Sequence, residues 1–144
     1  MKDGNHLVTR LAFFRSDKFK SRWIELGLTE AEYEDLITGL TDYFRHPPDN
    51  NYGRSFPGTV IEDAGGAIKY RYRTEHSNEG KSGGYRIIYL LIERNQVFFL
   101  DVYGKHTGPG KHQKENLTSK EKNAIRKLSI ELRQFARRNL HDQS

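Results

Sequence analysis

The chain has 144 residues, no cysteine and a net charge of +5 at pH 7. Its length suits one domain around a single core, spanning 1–144 with 1–5 flexible; no apolar run is long enough to span a membrane. Without cysteine, disulfides and cysteine-ligated zinc are excluded, and the excess of cations leaves two readings, a polyanionic partner such as nucleic acid or a plain basic surface.

In chain order, Met1–His6 lacks the apolar stretch of a secretory signal, which together with the missing cysteines points to the cytoplasm. His6–Phe14, with Leu7, Val8, Leu11, Phe13 and Phe14, reads as a first strand. Ser16 suits the N-cap of a helix carrying Phe19, Trp23, Ile24 and Leu26 and stopped by Gly27. Thr29 with Glu32 forms a capping box for a second helix, whose apolar stripe is Tyr33, Leu36, Ile37, Leu40 and Phe44. Pro47-Pro48 ends it.

After a polar connector, Val60 and Ile61 open a second short strand before an Ala64-Gly65-Gly66 turn. Three strands follow, near Ala67–Arg73, Tyr85–Glu93 and Gln96–Tyr103. The last two are joined at Arg94-Asn95 over a hairpin-length connection. Thr118 with Glu121 caps a final helix to about Asn139, with Ile125, Leu128, Leu132, Phe135 and Ala136 on one stripe and many cations elsewhere. The expected class is α+β: a small antiparallel sheet with the helix pair and the C-terminal helix packed on one face.

Cations concentrate in one place. Lys69, Arg71 and Arg73 alternate with Ile68, Tyr70 and Tyr72, so a strand puts all three on one face. Lys81 lies in a glycine-containing loop, and Arg86 stands in the otherwise apolar stretch Tyr85–Ile92. A row of cations on a sheet suits a phosphodiester backbone; a solvated outer face is the plainer reading from alternation alone. For Arg86 the alternatives are an ion pair with Glu93, Asp101 or Glu62, and a bidentate grip on phosphate. Tyr89 and Tyr103 suit either base stacking or the core. His106 and His112 titrate near neutrality and suit proton transfer, or are simply solvated loop residues; they lack metal-ligand spacing, so neither metal nor cofactor is expected.

The series G-K-S-G-G-Y-R-I-I-Y, then Y-G-K, then E-N-L-T resembles the RelE/ParE superfamily of type II toxins, closest to its HigB-like branch, over about Val8–Leu140. The resemblance implies an mRNA endoribonuclease that blocks translation, acting on the ribosome without metal. Lys69, Arg71, Arg86 and Lys105 fall on the family's catalytic positions, and Arg73, Lys81, Tyr89 and Tyr103 lie where RNA would be bound. Arg86 matches the family's phosphate-holding arginine. Lys69, its neutral form favoured by flanking cations, fits the proton acceptor. Some family members use a Tyr or His near the C-terminus as general acid; His141 stands there, beside the candidates His106 and His112. The 106–113 stretch is longer than the family's usual connection. The implied partners are mRNA on the ribosome and a cognate antitoxin of helix-turn-helix, HigA-like type. A ParE-like toxin acting on gyrase without cutting RNA, and a degenerate toxin that only binds its antitoxin, are the alternative readings.

Overall fold

A computed structural model describes residues 10–47, 56–74, 84–104 and 117–143, with side chains in the last segment to 138. The elements are β1 (Ala12–Arg15), α1 (Asp17–Glu25), α2 (Glu30–Arg45), β2 (Thr59–Val60), β3 (Ile68–Tyr72), β4 (Tyr85–Ile92), β5 (Gln96–Gly104) and α3 (Ser119–Gln143). The expected caps are present. Ser16 Oγ accepts from the Phe19 amide at 3.1 Å, and the amides of Glu32 and Glu121 donate to Thr29 and Thr118. Each satisfies an amide that helix geometry leaves without an internal partner.

The five strands lie in the order β1-β5-β4-β3-β2. All neighbours are antiparallel except β1 and β5, which run parallel from Ala12 opposite Gln96 to Arg15 opposite Phe99. The class is α+β as expected, but the sheet is mixed. A parallel pair needs a long crossover, and everything between β1 and β5 in the chain supplies one.

The helices also differ from expectation: they flank both faces. Along β4, Tyr85, Ile87 and Tyr89 join the core under α1 and α2, whereas Ile88, Leu90 and Ile92 join a second core with Ile125 and Ala136 of α3. Alternate residues of a strand point to opposite faces, so the two cores sandwich the sheet. The first core is aromatic. Phe19 stacks on Trp23 at 5.3 Å and on Phe99 at 5.0 Å between ring centroids, and Tyr33 meets both Phe19 and Phe99 edge-on. Phe19 and Phe99 are fully buried, and such a side chain contributes about 1.5–3 kcal/mol.

Two local features position the far end of the sheet. A β-bulge sits where the β4–β5 register shifts between Ile88 and Tyr89: Phe99 pairs Tyr89, Asp101 pairs Ile88, and Leu100 is the extra residue. Ser16 clamps this bulge, its amide donating to the Phe99 carbonyl and its hydroxyl to that of Leu100, both at 3.0 Å. The second feature is the β2–β3 turn, against which α3 docks. Arg126 donates to the Asp63 carbonyl and Arg133 to that of Gly65. Gly66, at φ 93°, would bring any side chain into the Arg133 guanidinium.

Candidate active site

Alternation and register together place the cations. Lys69 pairs with Ile88 and Arg71 with Arg86, so both β3 cations share the α3 face with Arg86. On the other side of β4, Arg86 pairs with Tyr103. One row therefore crosses three strands, Arg71–Arg86–Tyr103, at the end of the sheet where β3 stops and β4 begins. The next row is Lys69–Ile88–Asp101, about 7 Å further along the strands. Arg73 is exposed and lies just past β3, beside Gly84.

Exposure falls steeply across the first row. Arg71 is exposed and Lys69 half-buried, but Arg86 is only 1 % and Tyr103 2 % exposed. Arg86 thus lies beneath the surface, behind an exposed arginine directly opposite. Like charges in that relation repel, and an anion held between two guanidinium forks reverses the sign. Of the ion-pair partners considered for Arg86, Glu93 lies at the other end of β4, about 24 Å away along the strand.

Asp101 is also fully buried. The sequence suggests Arg86 or Lys69 as its partner; the ion pair seen is with Lys18 of α1, at 3.4 Å from Oδ2. Oδ1 accepts the Val102 amide at 2.8 Å, and Oδ2 has no hydrogen bond. The carboxylate thus caps the bulge and ties it to α1. The bulge has a consequence for the site. Were the same residues paired without a bulge, strict alternation from Phe99 would turn Tyr103 to the helix-pair face, away from Arg86.

Tyr89 requires a correction. It faces the helix pair, not the cations, is fully buried, and donates a 2.6 Å hydrogen bond to the Pro57 carbonyl. Burial, then the neighbouring Tyr70 and Tyr43, pushes its phenol above the ordinary range. It is a core residue, unavailable for stacking on bases. Tyr103 is on the correct face but packs in the core under α3. Lys81, Lys105, His106 and His112 lie outside the described residues. His141 is on the last turn of α3, its side chain likewise outside them.

Sequence reading missed one element. An open groove of about 330 Å³ lies between β2 and the start of α3, with Lys69 in its lining. Lys122 lines it too, a residue that the sequence presents as one more charge on a solvated helix. Only the pairing of Thr59 with Lys69 brings β2 beside the cationic row. Among the described residues no cluster of His, Asp or Glu is arranged to hold a metal ion, and no helix is long and apolar enough to cross a membrane.

Compared with known families, the chain matches the model for the RelE toxin of the RelE/RelB toxin–antitoxin system over residues 56–143. That range holds Lys69, Arg71, Arg86, the bulge and all of α3. No curated protein matches the chain.

Proposed function

The chain belongs to the RelE toxin family of toxin–antitoxin systems, and from that membership we propose that it is an endoribonuclease that cuts mRNA on the ribosome. The same reading assigns it to the HigB-like branch, acting in the cytoplasm and neutralised by a helix-turn-helix antitoxin. The observation that supports it is the direct opposition of Arg71 and Arg86, with Lys69 one row away on the same face. Two guanidiniums directly opposite one another suit a phosphodiester, whose oxygens both can grip.

In this reading the RNA carries its own nucleophile. Lys69 takes the proton of a ribose 2′-OH, and the 2′-oxygen bonds to the adjacent phosphorus. The bond from phosphorus to the 5′-oxygen breaks, and that oxygen takes a proton. The products are a 2′,3′-cyclic phosphate and a 5′-hydroxyl. Arg71 and Arg86 meet the charge that grows on the phosphoryl oxygens, an interaction strongest in the transition state. The proton donor is drawn from Lys105, His106, His112 and His141. Arg73 and Lys81 extend the contact along the RNA backbone. Tyr103 lies opposite Arg86 on β5, buried beside it on the same face.

One observation favours a second reading. Arg86 is 1 % exposed, which suits a toxin fold that only binds its antitoxin. Induction of the chain alone in bacteria, with mRNA 5′ ends mapped against an Arg86→Ala control, separates the readings. Arrest with new cuts inside reading frames, absent in the control, is expected. Arrest without cuts supports the gyrase-type alternative, and normal growth the binding-only one.

A further inference from the structure

The groove between β2 and α3 opens on the same face as Arg71 and Arg86, and Lys69 belongs to both. We propose that it is a nucleotide subsite, taking the residue next to the scissile phosphate and discriminating among bases through Glu62. The proposal rests on the RNA-cleavage reading above.

Three features carry it. The first is continuity. Lys69 and Arg71 are two residues apart on one strand face, about 7 Å. An RNA strand with one phosphate on the arginine pair and its next unit over Lys69 enters the groove directly. The second is size and lining. A volume of about 330 Å³ lies in the range of small-ligand clefts. Its lining includes Ile61 and Leu117, both packed with the α3-side core, apolar surface for the face of a base. Lys122 adds an ammonium group on the α3 wall, suited to the next phosphate along.

The third feature is Glu62, the one acid among the described residues of the lining. An ionised carboxylate only accepts hydrogen bonds. Adenine, cytosine and guanine each present an exocyclic amino group to it. Uracil presents one N–H flanked by two carbonyl oxygens, which a carboxylate repels. The groove therefore selects bases with an amino group over uracil.

The test uses the full chain with ribosomes programmed by mRNAs that differ only in the nucleotide on either side of the cut, read as single-turnover rates. The wild type is expected to cleave the A, C and G messages roughly fivefold or more faster than the U message, at one flanking position. Glu62→Gln, whose amide both donates and accepts, is expected to erase that difference. Lys122→Ala is expected to slow all four messages alike and to flatten the salt dependence by about one phosphate contact. A Glu62→Gln variant that keeps the wild-type base order, or a Lys122→Ala variant with unchanged rate and salt slope, overturns the subsite while leaving the nuclease reading intact. A wild type that cleaves none of the four overturns the nuclease reading, and the subsite with it.

Discussion

Arg71 and Arg86 face each other directly across β3 and β4, one exposed and the other 1 % exposed. The asymmetry divides their labour. In the proposed function the exposed arginine would meet RNA as it arrives, and the buried one would engage once the phosphate is seated. Arg71→Ala is expected to raise KM with a smaller effect on kcat. Arg86→Ala is expected to lower kcat by about 10²–10³-fold. Arg86→Lys restores little, because an ammonium lacks the planar fork. Steady-state kinetics on programmed ribosomes checks this, and the reverse assignment of KM and kcat effects would contradict it.

Asp101 holds the bulge that keeps Tyr103 opposite Arg86. Asp101→Ala leaves the Val102 amide buried without its acceptor, a loss of about 1–3 kcal/mol in urea unfolding. Asp101→Asn retains an acceptor oxygen and loses less. Lys18 is 45 % exposed, so Lys18→Ala is expected to cost under about 1 kcal/mol. Equal losses in all three variants would show that the carboxylate does not cap the strand.

Tyr89 is a core residue, not a base-stacking one. Tyr89→Phe removes the hydrogen bond to Pro57 and is expected to destabilise by about 1 kcal/mol with cleavage unchanged. A loss of cleavage at unchanged stability would return Tyr89 to the RNA surface.

Stability at alkaline pH follows from the buried tyrosines. Burial, the largest cause, raises the phenols of Tyr33, Tyr70, Tyr72 and Tyr89, and takes Tyr33 from 10.0 to about 12. Arg15, whose guanidinium lies 4.2 Å over the Tyr33 ring, opposes that shift. Above pH 10 the unfolded chain loses phenolic protons that the folded chain keeps, so folding stability falls as pH rises. The contribution is complete below pH 10, and Tyr33's share is gone above about pH 12. Urea unfolding at stepped pH is expected to show this decline, with less of it in Tyr33→Phe. A flat profile between pH 10 and 12 would contradict it.

Much of the fold was legible in the chain. Ser16, Thr29 with Glu32, and Thr118 with Glu121 mark three helix starts, because a capping side chain is a local device. The cations on β3 and Arg86 on β4 were legible for the same reason, since alternation fixes a face. What escaped depends on partners distant in sequence. The parallel pairing of β1 with β5 joins segments some eighty residues apart. The two-sided burial of the sheet was written in the almost unbroken apolar run Tyr85–Ile92, the pattern of a strand covered on both faces. The bulge at Leu100 has no glycine or proline to announce it, and only the register reveals that Asp101 caps it. The groove was hidden because it forms where β2 meets α3, more than fifty residues later.

The most direct test of the account is a double-mutant cycle at the two opposed arginines. Wild type, Arg71→Ala, Arg86→Ala and the double variant are each presented with mRNA on ribosomes, and single-turnover rates and the 3′ ends of the products are read. The account predicts 2′,3′-cyclic phosphate ends and a double variant little slower than Arg86→Ala, because both side chains serve one phosphate. Independent, additive losses, or wild-type products ending in a 3′-hydroxyl, would contradict it.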